Sequence, residues 1–533
     1  MQKILKINDN DNLIVALKDL KKGESVTWQN DTYVLSTDIP AKHKFTTQGV
    51  NIDDILYLYG LPVAKATVKI DKGAMITTQN VKHYAAEVNL DNRTYNWAPP
   101  DISKWQNKTF NGIIRDDGRV GTANYWLIIP LVFCQNRNVL KLQEALATPL
   151  GYKQTSYDQI TKNLLGCHSS DPKETNSNRP FSHIDGIRAL TVNSGCGGTA
   201  NDSISLCKIL AAYADHPNVA GITVFALGCE KAQVSLFDEQ LKLRNPNFNK
   251  PYLFFRQQEW QNEEEMMALA IKQTFEKLTA ANQIVRQPVS LSKLKLGVKC
   301  GGSDGFSGIS ANPTMGIVSD IVVALGGASG LAEFPELCGA EGDMVTRCIK
   351  KEDKIHFLDL MDRYETQAKL CNASIADNPS PGNIKDGLIT DAIKSIGAAK
   401  KGGHAPISAV CDYGDPMAET GLSLVCTPGN DVEAVTGQVA AGANIVIFST
   451  GLGTPTGNPI VPVIKIATNS TTATKLSSMI DFDCGPVIDG ASLQSMADEL
   501  LELVIKVASH EYIVKSDRLE QYDFIFWKRE VSL

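Results

Sequence analysis

An alternating apolar run, Leu294-Lys-Leu-Gly-Val298, feeds directly into Lys299-Cys-Gly-Gly-Ser-Asp-Gly-Phe-Ser-Gly-Ile-Ser-Ala-Asn-Pro313, and this junction constrains the fold more than any other stretch. Period-two alternation reads as a strand. The glycines at 301, 302, 305 and 308 weaken both helix and strand and are costly to order, so they are not there for stability alone. A strand that ends in such a loop belongs to α/β architecture, where ligands sit beyond the carboxyl ends of strands. The thiol, hydroxyls, carboxylate and amide set among those glycines read as groups gathered around something small.

The rest of the chain supports a multidomain α/β reading. At 533 residues it is too long for one core, and about 150 residues per domain suggests three. Residues 1–88 read as a small β-rich domain, with short alternating segments such as Asp31–Ser36 and Ala66–Ile70 separated by Lys-Gly turns. Residues 89–111, with Pro99-Pro100, read as a linker. From 112 to 285 strand-like runs (Tyr125–Ile129, Gly221–Leu227) alternate with helical ones (Trp260–Leu278), the signature of a first α/β domain. Gly166–Pro180, rich in Ser, Asn, Asp and Lys, is expected to be an exposed insertion. A second α/β domain is expected over 291–533, with strands at Gly316–Ala324 and Ile445–Ser449 and helices at Asp386–Lys400 and Gln494–Ala508.

Several function classes are excluded or disfavoured. The net charge of -7 and the lack of a Lys/Arg run argue against nucleic acid. The amino terminus lacks the apolar core of a signal peptide, and no apolar stretch approaches the roughly 20 residues that span a bilayer, so no membrane partner and a cytoplasmic location are expected. Gly451-Leu-Gly-Thr-Pro-Thr-Gly457 follows a strand but has a displaced third glycine, and Pro455 and Pro459 oppose the helix of a dinucleotide site. None of the twelve cysteines forms a Cys-x-x-Cys pair. Cys196, Cys229 and Cys300 each lie beside glycine in a polar loop, which raises a soft-ligand or iron site. His43 lies among lysines and titrates near neutrality, fit for a proton shuttle or metal ligand. Arg119 carries a fork that matches a carboxylate, though a charged turn is an equal reading.

Taken together, His43-Lys-Phe, Arg119-Val-Gly, Gly195-Cys-Gly, Leu227-Gly-Cys-Glu-Lys-Ala-Gln233, the Lys299–Pro313 segment, Asn378-Pro-Ser-Pro-Gly-Asn383, Thr427-Pro-Gly-Asn-Asp431, Ser449–Gly457 and Val463-Ile-Lys-Ile-Ala-Thr468 closely resemble the altronate and galactarate dehydratase family, in order and spacing over essentially the whole chain. The loop after Leu227 and the Pro379–Asn383 wording look more like the altronate members. The resemblance implies a small amino-terminal SAF domain followed by two α/β domains, loss of water from a sugar acid (an aldonate or aldarate), and ferrous iron or manganese as cofactor. One departure is Val192, where many relatives carry a histidine, so no role for that histidine transfers.

Removing a proton next to a carboxylate builds charge on the carboxylate oxygens, which a divalent metal or a cluster of donors must stabilise, and the departing hydroxyl needs a proton. Mapped onto this chain, Cys229, Glu230, Cys300 and His43 would hold the metal, and His43, Lys465 and Asp304 would do the proton chemistry, with His43 and Lys465 both open as the base. Arg119, Ser303, Asn312, Gly453 and Thr454 would bind substrate. Galactarate dehydration, sulfite elimination from a sulfonated acid, and a sugar-acid binding or sensing protein are the rival readings. A homodimer is expected only because closed dimers are the commonest soluble assembly.

Overall fold

The computed structural model describes residues 2–86, 88, 90, 95–153, 160, 164, 165 and 179–533. The insertion expected at Gly166–Pro180 lies outside the described residues except for its last two.

The amino-terminal domain is built from short strands, among them Leu13–Ala16, Lys44–Thr46 and Leu61–Ala66, paired antiparallel in small sheets. It has its own core of Ile4, Ile14, Leu20, Val26, Tyr33, Ile39 and Phe45. Its other face, including Leu13, Leu56 and Val63, merges with the core of the carboxyl-terminal domain. The segment expected as a linker is partly structured. Trp105 is 1% exposed, and Thr109–Ile114 pairs antiparallel with Gln287–Ser290, closing a seam between the flanking domains.

The second domain is a parallel sheet. Its strands are β1 (Tyr125–Pro130), β2 (Gly186–Ala189), β3 (Val219–Ala226) and β4 (Tyr252–Arg256), in spatial order β2-β1-β3-β4. Helices α1 (Asn136–Ala147), α2 (Ala200–Asp215) and α3 (Val234–Arg244) follow β1, β2 and β3. β3 is buried along its whole length, which is why Val-Ala-Gly-Ile-Thr-Val-Phe-Ala shows no clean alternation.

The third domain carries a seven-stranded parallel sheet. Its strands are β5 (Lys295–Cys300), β6 (Ala328–Leu331), β7 (Ile407–Cys411), β8 (Gly421–Val425), β9 (Ile445–Thr450), β10 (Val463–Ala467) and β11 (Phe482–Asp483), in spatial order β7-β8-β6-β5-β9-β10-β11. β5 is the central strand, so the glycine loop leaves from the middle of the sheet's carboxyl edge. The stretch expected as a strand at Gly316–Ala324 is instead the second half of a helix, α4 (Ala311–Ala324). Its β-branched run misleads, because parallel β5 and β6 need a crossover and this helix, buried nearly all round, provides it. The helix expected at Asp386–Lys400 begins only at Asp391 (α5, Asp391–Ala399), capped by the Thr390 side chain, after Gly387 has turned the chain with φ 91°. Two further helices are α6 (Asp431–Ala440) and α7 (Leu493–Ala508); the latter covers the helix expected at Gln494–Ala508, and a short turn of helix at Lys515–Arg518 follows it. No helix among the described residues is long and apolar enough to cross a membrane.

Candidate active site

The glycine loop is compressed from three sides. A β-carbon at Gly301 would lie 2.4 Å from an Asp431 carboxylate oxygen, one at Gly302 2.9 Å from the Thr454 hydroxyl, and one at Gly308 2.3 Å from the Tyr59 hydroxyl. Gly305 faces the amino-terminal domain, and its β-carbon would sit 2.5 Å from the Lys42 carbonyl and 2.9 Å from that of Asp386. Backbone oxygens cannot swing away as a side chain can, so Gly305→Ala is expected to push the Lys42 loop outward. A displacement of that kind costs about 10²-fold in rate, and steady-state kinetics on a variant with unchanged far-UV dichroism measures it.

Three consecutive residues of the amino-terminal domain meet this loop. Lys42 takes the left-handed φ of 75°, a strained setting for a side chain of this size. Its Nζ stands 3.0 Å from Asp304 Oδ2 and 3.1 Å from Asp386 Oδ1. Burial opposes the Lys42 charge, but Asp304 and Asp386 outweigh it and hold the pKa above its ordinary value. Asp304 has no exposed surface; it also accepts from Ser307 Oγ at 3.1 Å, from the Phe306 N–H at 3.2 Å and from Asn469 Nδ2 at 3.3 Å. Lys44 is fully buried and donates to the Gly387 carbonyl at 2.7 Å; burial pushes its pKa down to about 7 against the pull of Asp304. His43, between them, is half-buried, with Nδ1 3.3 Å from the Ala41 carbonyl, and burial lowers its pKa. The partly open residues here are Lys42, His43, Gly302, Asp386, Thr454 and Asn469, which form an accessible polar lip over a closed ionic floor.

Beneath the loop lies a charge cluster that is buried except for Asp431. Lys299 Nζ contacts Glu333 Oε1 and stands 2.7 Å from Asp431 Oδ1. Lys401 Nζ is 2.7 Å from Glu333 Oε2 and 3.2 Å from Cys300 Sγ, and Lys394 Nζ is 2.9 Å from Glu336 Oε1. Glu333 adopts a left-handed φ of 73° to reach both lysines. Burial would raise Glu336, yet Lys394, Lys401 and Lys299 hold it down at about 2. Burial pushes the Cys300 thiol up to about 12, so it is a neutral donor, aimed at Glu336 Oε2 at 3.3 Å.

The metal question can be tested on this cluster. Among the described residues, Cys300, Glu333 and Glu336 are the one group of three or more His, Cys, Asp and Glu whose donor atoms fall within 4.8 Å of one another. Three ammonium groups already contact the two glutamates and balance them together with Asp431. A divalent ion would have to expel a lysine and deprotonate the thiol, so these residues do not fit one. The expected ligand set of Cys229, Glu230, Cys300 and His43 is spread over three domains and is not brought together.

The remaining expected residues fall in several places. Ser303 is 5% exposed, and its carbonyl accepts from Asn383 Nδ2 at 2.8 Å. Asn312 is 1% exposed and spends its amide on the Gly397 carbonyl and the Ser449 hydroxyl, bracing α4 against β9. Gly453 and Thr454 donate their N–H groups to Thr450 Oγ1 at 2.9 and 3.1 Å, which holds their loop beside Gly302. Lys465 is buried, bonded to the Thr456 carbonyl, and burial lowers its pKa to about 8. Arg119 grips Asp215 with both terminal nitrogens, at 2.6 and 2.7 Å, at the amino-terminal end of the second sheet, so its fork is already filled. Lys42, Lys44, Asp386, Glu333, Glu336 and Lys401 were not singled out from sequence. Only Lys42 and Lys44 carried a signal, as neighbours of His43.

Comparison with known proteins accounts for nearly the whole chain. Three family models match in order: the altronate/galactarate dehydratase SAF domain over residues 2–84, the D-galactarate dehydratase/altronate hydrolase second domain over 112–282, and the D-galactarate/altronate dehydratase C-terminal domain over 291–532. The chain is 32% identical to an altronate dehydratase of Bacillus subtilis over all of both chains. It is 32% identical to an altronate dehydratase of Escherichia coli over 95% of each chain, and 28% identical to the L-threo-forming galactarate dehydratase of that organism over 96% of this chain and 94% of the other.

Proposed function

The chain belongs to the D-galactarate/altronate dehydratase family of hydro-lyases, and from that premise we propose that it removes water from D-altronate to give 2-dehydro-3-deoxy-D-gluconate. The two altronate dehydratases, each at 32% identity over essentially full length, favour this substrate over galactarate. The observation that carries the reading is the lip where the Lys42–Lys44 loop is ion-paired to Asp304 of the glycine loop. It places a neutral imidazole, a held cation and open polar groups together at the end of the central strand.

The substrate carboxylate sits beside Lys42. A base takes the C2 proton, the electron pair moves onto the carboxylate, and Lys42 offsets the charge that gathers there. His43 is the base on the open lip; Lys465, lowered to about 8, is the second candidate. The C3–O bond then breaks, the hydroxyl leaves as water with a proton from an acid on the lip, and the enol tautomerises to the 2-keto acid. Asp304 and Asp386 position Lys42, and Thr454 and Asn469 face the sugar hydroxyls. Iron or manganese is the cofactor we propose.

A panel of D-altronate, galactarate, other aldonates and a sulfonated lactate, assayed for 2-keto-3-deoxy acid and for released sulfite, tests the reading. D-altronate is expected to give the highest kcat/KM. Faster turnover of another acid replaces the substrate, and binding without turnover of any panel member leaves only a sensor.

A further inference from the structure

Four cysteines among the described residues are exposed: Cys134, Cys196, Cys229 and Cys371. The first three stand together in the fold. Cys134 lies four residues beyond the end of β1, Cys196 seven beyond β2 and Cys229 three beyond β3, and β1 is paired with both of the other strands. Their loops are tied to one another. The Phe133 N–H donates to the Ser194 carbonyl at 2.9 Å, and the Asn136 side chain bonds both the N–H and the carbonyl of Val192. The Ala232 N–H donates to the Gly195 carbonyl at 3.0 Å, and Lys231 Nζ reaches the Gly198 carbonyl at 2.7 Å. Gly195, at φ 109°, presses so close to the first loop that a β-carbon would lie 2.3 Å from the Leu131 carbonyl. Three cysteine loops are therefore packed side by side at one edge of one sheet.

Helix α1 begins two residues after Cys134, α2 four after Cys196 and α3 five after Cys229, so three positive helix ends adjoin the three cysteine loops. Independently, Glu230, next to Cys229 and only 3% exposed, bonds the Gly228 N–H with one carboxylate oxygen while the other has no partner. A single tetrahedral ion at a metal–sulfur distance of about 2.3 Å needs thiolates roughly 4 Å apart, and these three do not close to within 4.8 Å. A polynuclear centre spans the wider gap, and thiolates are the ligands that hold one.

We propose that Cys134, Cys196 and Cys229 ligate an iron–sulfur cluster, one thiolate to each of three irons, with a further iron left to a non-protein oxygen ligand. Each thiol gives up its proton on ligation. This assigns iron to the second domain rather than to the buried Cys300 cluster, and it stands whether or not the substrate is D-altronate, because its test reads the metal centre and not turnover.

Protein purified without oxygen and reconstituted with iron and sulfide is expected to show the broad visible absorption of sulfide-to-iron charge transfer and to carry about four iron and four acid-labile sulfide per chain. Cys134→Ser, Cys196→Ser and Cys229→Ser each abolish that absorption, and Cys371→Ser keeps it. In the loaded wild type the three thiols resist alkylation while Cys371 reacts, a readout that does not depend on how well the variants fold. Iron bound without sulfide, a spectrum unchanged in all three serine variants, or three thiols as reactive as Cys371 overturns the assignment.

Discussion

His43→Gln is expected to lower kcat by about 10²–10⁴-fold, the usual contribution of a positioned general base. Its thermal unfolding should stay close to that of the parent, because the imidazole makes only one bond, to the Ala41 carbonyl, and is partly exposed. The pH profile makes the test specific. Burial lowers the His43 pKa from 6.5, so the ring is the neutral, proton-accepting form at neutral pH. Activity therefore falls as pH drops through that lowered value, and kcat/KM of the parent should show an acid limb below 6.5 that His43→Gln lacks. A variant that keeps the rate removes His43 from the mechanism, and the role passes to Lys465 where the acid limb lies on the alkaline side of neutrality, as its pKa of about 8 requires.

Lys401→Met is expected to give the largest loss of stability. Lys401 is wholly buried and shared by Glu333, Cys300 and Glu336. Removing one partner of a buried ion pair costs about 3–5 kcal/mol, because the other charge is stranded in the interior. Urea unfolding of the third domain should report this, and Lys401→Met combined with Glu333→Gln should recover part of it, since the second change removes the stranded carboxylate. The pH dependence has a definite sign. Glu336 has a folded pKa of about 2, below its usual 4.5, so its contribution is complete above 4.5 and fades as pH falls toward 2. Without Lys401 the carboxylate is held less tightly, and acid unfolding should begin at higher pH. Unchanged acid and urea midpoints would mean that the cluster relaxes around the missing ammonium.

What was legible in the sequence follows from where the information sits. β5 and its loop could be read because alternation and glycine spacing are local signals, and β1, β3 and β9 because a short, continuous apolar run is local as well. Helix α4 could not, because a helix buried on nearly every side has no polar stripe to betray its period. His43 and Asp304 were both singled out, but only the folded chain joins them through Lys42. The buried cluster was invisible because its pairs are distant in the chain: Lys401 and Glu333 are 68 residues apart, and Lys299 and Asp431 are 132 apart. Cys300 looked like a metal ligand for its glycine neighbours, while the lysines that occupy its surroundings lie on other elements. Cys134, among apolar residues, gave no such signal until the pairing of β1 with β2 brought its loop against that of Cys196.

The bond from Lys42 to Asp386 spans 344 residues, and this sets a timetable for synthesis. At about 5–20 residues per second a ribosome makes Lys42 some 20–70 s before its partner exists. During that interval the amino-terminal domain has its private core of Ile14, Tyr33 and Phe45, but its docking face of Leu13, Leu56 and Val63 has nothing to cover it. The nascent chain thus carries a folded domain with a greasy flank and an uncompensated Lys44, and it is in this interval, more than in the finished enzyme, that chaperone protection matters most.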